Sequence, residues 1–315
     1  MSDYKQIDLT KIKTSPFSRR ISKTKVADFA KTVSEKSDIA EFIDTLPKYL
    51  KVNDLKLLLK AIHQARSKKK PVIFMFGAHI VKLGLSPIII DLMRNKFITC
   101  LSTNGAGAIH DFEIGVWGKT SENVVEGLKR GNFGMSEETS RLFNRISKNA
   151  VESHKGLGES IGEYLIKNKT SFRKYSILAS AYRLRIPVTA HVGIGTDIVH
   201  QSRYFDPAST GEATFTDFKI LAQQISELNN GGVVLHFGSA VILPEVFLKA
   251  LSVARNVKGK VENFTTANFD MIQHYRPNMN VVQRPVQGKG QGFSFTGHHE
   301  IMLPLLAWAL KGSKT

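Results

Sequence analysis

Polar residues capable of chemistry stand where this sequence passes from apolar runs into small-residue loops. They are His79, Asn104, His110, Asp111, His191, Asp197, His200, His236, Asn268, His298, His299 and Glu300. Histidine in such places serves as a general base, a metal ligand or a hydrogen-bonded structural group. The best pairs are His110-Asp111 and Asp197-x-x-His200. No compact H-x-x-x-H spacing with a nearby carboxylate occurs, so no metal site is expected.

Short apolar runs deliver these residues. Pro71–Phe76 and Phe97–Thr103 read as strands covered on both faces, joined by the helical pattern Ser86–Arg94. Ile186–Ala190, Val233–Phe237, Val261–Thr265 and Asn280–Arg284 continue the strand series, with helical patterns between them. Strands alternating with helices predict an α/β fold, a Rossmann-like doubly wound, mostly parallel sheet. Residues 1–41 read as a basic arm and 42–315 as one α/β domain. Five strand ends carry small residues beside polar ones, a pattern that favours a nucleotide-sized ligand at the carboxyl ends of the strands. The loops concerned include Asn104-Gly105-Ala106-Gly107, Gly238-Ser239-Ala240 and Thr266-Ala267. None matches the phosphate-cradling P-loop pattern, and Gly105-Ala106-Gly107 only echoes the dinucleotide fingerprint.

Composition narrows the partners. The 315 residues include 44 Lys plus Arg against 27 Asp plus Glu, a formal charge of +17. The cations are spread along the chain, with local concentrations at Lys11–Lys25 and Lys68–Lys70 and no aromatic-interleaved basic motif. Nucleic acid is therefore not an expected partner; it would require the lysines to gather on one face. The single cysteine, Cys100, lies in a predicted strand and reads as a buried, inert thiol. No apolar run approaches eighteen residues, and MSDYKQIDLTKIKTS lacks a signal-like apolar region, so a cytoplasmic, non-membrane protein is expected.

The segment Pro71–Phe112 resembles the central part of deoxyhypusine synthase, with Asn104–Asp111 on its Thr-Thr-Ala-Gly-Gly run and the acidic residues after it. Ile186–Asp197 is similar to the family's Ile-Pro-Val strand and Gly-x-x-x-Asp loop. Gly238-Ser239-Ala240-Val241, Thr265–Asp270 and the closing EIMLPLLAWAL match further family motifs in the same order. The resemblance runs from about residue 42 to the end.

It implies a Rossmann-like fold that binds NAD, an amine substrate such as spermidine, and a homo-oligomer, usually a tetramer, with sites at subunit interfaces. The reaction passes an aminobutyl group through an imine on an enzyme lysine. Asp111 falls on a family active-site glutamate, with His110 beside it, and Asp197 on the carboxylate that holds the substrate amine. Asn104, Gly105, Ala106, Gly107, Gly238, Ser239, Ala240, Thr266 and Ala267 would line the dinucleotide crevice. The sequence departs from the family where the chemistry is done. Leu243-Pro244-Glu245 replaces an active-site Lys-His-His run, and no carboxylate for a ribose stands beside Gly193. His298 occupies the place of another carboxylate, and the nearest lysine for the imine is Lys289.

Overall fold

A computed structural model describes residues 6–21 and 23–312. Six strands form one all-parallel sheet: β1 Val72–Phe76, β2 Cys100–Asn104, β3 Val188–His191, β4 Val233–Phe237, β5 Thr265–Asp270 and β6 Gln291–Thr296. Their spatial order is β3-β2-β1-β4-β5-β6, the doubly wound order that reverses between β1 and β4. Continuous apolar runs make the inner strands: every residue of β1 and β4 is buried, as a sheet covered on both faces demands. Phe74, Phe237, Phe269 and Phe295 stack across β1, β4, β5 and β6, with successive ring centroids 5.0, 4.5 and 4.7 Å apart.

Helices cover both faces. They are α1 Ile39–Thr45, α2 Leu50–Ser67, α3 Ala78–Lys82, α4 Ser86–Arg94, α5 Gly105–Trp117, α6 Val124–Arg130, α7 Glu137–Glu152, α8 Leu157–Lys167, α9 Ile177–Leu184, α10 Pro207–Ser226, α11 Ile242–Lys258, the single turn α12 Tyr275–Pro277 and α13 His299–Gly312. One core lies beneath α2, α4, α5, α8, α9 and α13, and a smaller one beneath α10 and α11. Among the described residues before α1, Ile7, Leu9, Ile12 and Val26 are exposed, and Ile39, at the start of α1, is the first that is fully buried. Among the described residues, no helix is long and apolar enough to cross a membrane.

β2 and β3 begin two or three residues later than the sequence reading, and two larger differences matter for the site. The fifth strand runs Thr265–Asp270 rather than Val261–Thr265. Its polar sequence TTANFD hides a buried strand, because Thr266, Asn268 and Asp270 find buried surroundings beside the phenylalanines. The run Asn280–Arg284 is helical, part of π-helical Asn278–Gln283, and the sixth strand is Gln291–Thr296. The glycines of QGFSFT conceal that strand; Gly292 lies where an added Cβ would meet the Val282 carbonyl oxygen at 1.9 Å.

Candidate functional site

Parallel pairing brings the loops after β1, β2, β3 and β4 to one edge of the sheet. Beside the ends of β2 and β3 this edge holds a cavity of about 880 Å³. One face of α5 forms its wall. Ala106, Ile109, His110, Glu113 and Trp117 recur at helical spacing and all line the cavity. Thr196, Asp197 and Ile198 from the loop after β3 face them, with Glu122, Glu138, Thr120, Thr139, Lys82 and Lys119 completing the lining.

Within this wall, three polar groups act in series. His110 Nδ1 lies 2.6 Å from Thr120 Oγ1, and that hydroxyl donates to Glu113 Oε2. Thr139 Oγ1 donates to the other Glu113 oxygen at 2.9 Å. Because the Thr120 proton goes to Glu113, Thr120 must accept from His110, which fixes the neutral ring with its proton on Nδ1. Nε2 is left as an acceptor. Burial, reinforced by the Lys82 charge, pushes the His110 pKa down to about 4. A ring that gives up its proton so readily is a weak base toward an alkylammonium, whose pKa lies near 10. It can still accept a hydrogen bond.

Asp197 is the group that stands out. Burial pushes its pKa up to about 6, and it forms no ion pair among the described residues. Its carboxylate lies against the first turn of α5. A Cβ on Gly105 would fall 1.9 Å from Asp197 Oδ2, so only glycine permits this approach. The positive end of α5 compensates part of the cost of burying that charge. His200 supports the loop: its Nδ1 accepts from Gly195 N and Asp197 N, each at 3.1 Å.

The other sequence-selected residues are not all brought here. Asp111, next to His110, is rotated by about 100° around α5 and faces the core. It is fully buried, and its carboxylate accepts from Ser176 Oγ, Ile177 N and Leu178 N, capping α9. Burial pushes its pKa up to about 6 against those hydrogen bonds. It is a structural cap, which corrects its placement in the active site. Lys289 is also corrected. It precedes β6 at the amino edge of the sheet, is 64% exposed, and pairs with Glu262 at 2.8 Å. The loop cannot bring it to the carboxyl edge without unravelling β6.

Three observations bear on whether NAD fits at the carboxyl edge. First, Asn104 Oδ1 caps α5 by accepting from Gly107 N at 2.9 Å, and Asp197 already occupies the Gly105 surface where a pyrophosphate would bind. Ala106 lines the cavity, whereas Gly107 packs onto Thr103. Second, the β1/β4 crevice is closed: a Cβ on Gly77 would meet the Gly238 carbonyl oxygen at 2.0 Å, and His299, 1% exposed, lies over Gly238. Ser239 is buried and its hydroxyl accepts from Leu243 N at 3.3 Å, at the start of α11, with Ala240 in the same turn. Third, Thr266 and Ala267 are buried within β5, short of its carboxyl end. That corrects their assignment to the crevice. In this arrangement the residues do not fit a dinucleotide.

Polar side chains fill the closed crevice instead. His236 Nδ1 lies 2.7 Å from Asn268 Oδ1, and Asn268 Nδ2 donates to Gln273 Oε1 at 2.8 Å. His299 Nε2 lies 3.8 Å from Asp270 Oδ1. Burial pushes the His236 pKa down to about 4, so the ring is neutral. His191 is likewise buried and driven down to about 3, beside Thr189 Oγ1. Among the described residues no group of three or more His, Cys, Asp or Glu side chains could hold a metal ion.

Sequence reasoning missed Glu113, Thr120, Thr139 and Lys82. The i, i+4, i+7 spacing of Ala106, His110 and Glu113 on α5 was the available signal.

No family model matches this sequence, and no curated protein matches it. Solved structures do. An Entamoeba histolytica protein assigned provisionally as a deoxyhypusine synthase superposes with a TM-score of 0.52 at 10% identity, over 89% of this chain and 95% of that one. The fold is deoxyhypusine-synthase-like. A conserved Methanococcus maripaludis S2 protein, assigned provisionally as LOR/SDH, gives a TM-score of 0.49 at 16% identity, over 90% of this chain and 72% of that one. AgrE in complex with ornithine and NAD+ gives 0.49 at 15% identity, over 82% of this chain and 32% of that one.

Proposed function

We propose that this chain binds a small aliphatic amine, as its ammonium ion, in the cavity between α5 and the loop after β3. The observation that carries this reading is the partly buried Asp197 carboxylate, which has no cation partner among the described residues and faces a cavity also lined by Glu113, Glu122 and Glu138. An ammonium would repay the desolvation of Asp197 by direct pairing. Glu113 is held in place by Thr120 and Thr139, His110 Nε2 offers an acceptor, and Trp117 lines the same cavity.

The fuller reading is NAD-dependent transfer of an aminobutyl group from a polyamine such as spermidine. Its support is the fold and the order of motifs. Against it stand the closed β1/β4 crevice and the position of Lys289. Amine binding without transfer is therefore the preferred function. A cytoplasmic setting is part of this reading, in keeping with Cys100 as a buried thiol that burial pushes up to about 12. Self-association is also part of it, supported by the exposed apolar side chains of the amino-terminal arm and read by light scattering at micromolar protein.

The test is reductive trapping. The protein is incubated with spermidine and NAD, reduced with borohydride and examined by mass spectrometry. The expected result is no butylamine-sized adduct on Lys289, Lys82 or Lys119 and no diaminopropane released. An adduct on any of these lysines would replace amine binding with amine transfer.

A further inference from the structure

The opposite edge of the sheet carries a second, larger depression with the reverse charge. A groove of about 1290 Å³ is bounded by the residues that lead into β1, β2 and β3, among them Pro71, Thr99 and Ile186. It therefore lies at the amino edge, about 16 Å from the candidate amine site by the length of a five-residue strand. Seven cations line it: Lys56, Lys60, Arg66, Lys69, Lys70, Arg94 and Lys96. Lys56 pairs with Asp44, the groove's one carboxylate, and the other six have no carboxylate partner among the described residues. The same groove has an apolar floor that includes the partly exposed Pro71, Leu184 and Ile186.

Helix polarity explains part of this gathering. α2 and α4 end at the groove, and lysine or arginine in a last turn complements the negative helix end. It does not explain why the cations continue beyond the helices. Lys69 and Lys96 stand just past those ends with φ of +53° and +59°, the left-handed region where a side chain is costly and glycine is preferred. His63 also lines the groove, and its Nε2 is buried without a hydrogen-bond partner.

We propose that this groove binds single-stranded nucleic acid, its cations tracking the phosphodiester backbone and its apolar floor taking the faces of unpaired bases. An open groove with several cations along its lining suits a chain of phosphates better than one compact anion. The exposed bases of a single strand suit the apolar floor better than a duplex does. Recognition carried by phosphate contacts is independent of sequence.

The experiment uses the full chain and a fluorescein-labelled twelve-nucleotide oligouridylate, read by anisotropy. With up to six phosphate contacts, log affinity should fall with log salt at a slope of about −4. The Lys69→Gly/Lys96→Gly double variant removes two cations at positions whose backbone favours glycine, so its melting temperature should not fall. Its affinity at low salt should drop at least about tenfold and its slope flatten by roughly 1.4. A control, Lys129→Gln/Arg130→Gln on α6, removes the same charge away from the groove and should bind like the parent. No binding at low salt would overturn the proposal. So would equal losses in variant and control, which would indicate bulk charge, or tripolyphosphate binding as tightly as the oligonucleotide, which would indicate a compact anion site.

Discussion

Replacing Asp197 by asparagine should make the free protein more stable while abolishing the proposed amine binding. Burial raises the Asp197 pKa from 3.8 to about 6. At about 1.4 kcal/mol per unit, the shift amounts to roughly 3 kcal/mol against the folded state at pH 7. The positive end of α5 offsets up to about 1 kcal/mol of this, leaving about 2 kcal/mol to be recovered by a neutral amide of the same shape. For 315 residues the unfolding entropy makes that a rise of roughly 3 °C in melting temperature. The sign follows from proton uptake. A carboxyl with a raised folded pKa takes up a proton on folding, so its penalty is absent below about pH 4, grows between pH 4 and 6, and is constant above. Melting curves of Asp197→Asn and the parent, recorded from pH 4 to 7.5, should coincide at the acid end and separate toward neutrality. An equal or lower melting temperature at pH 7, or a difference that does not change with pH, would refute the reasoning.

Asp111→Ala should remove the cap of α9 and leave its first backbone N–H groups unpaired. A loss of about 2–4 kcal/mol is expected in denaturant unfolding, with amine affinity unchanged in the folded fraction. Gly77→Ala should prevent β1 and β4 from closing, since the new methyl would sit on the Gly238 carbonyl. A cost of about 3 kcal/mol or more is expected, and a wild-type melting curve would show that the contact is looser than described.

The α/β architecture was legible in the sequence because its inner strands are continuous apolar runs. VIFMF and VVLHF can be little else when helical patterns flank them. TTANFD and QGFSFT were not legible, because a strand stabilised by phenylalanine stacking and buried hydrogen bonds carries no apolar signature. That shift moved Thr266 and Ala267 from an imagined loop into the core. Asp197 and His110, picked by type and position, line one cavity, whereas Asp111 points into the core because adjacency in sequence is divergence on a helix. Glu113 and Thr120 become site residues only once α5 is folded and its outer face meets the chain beyond it.

Titration calorimetry with spermidine and putrescine, on the parent and on Asp197→Asn, tests amine recognition most directly. At pH 7.5 the parent should give saturable binding of one amine per chain. That binding should weaken as pH falls through about 6, where Asp197 takes up its proton. The variant should give no binding. No heat at millimolar amine, or equal affinity in parent and variant, would contradict it.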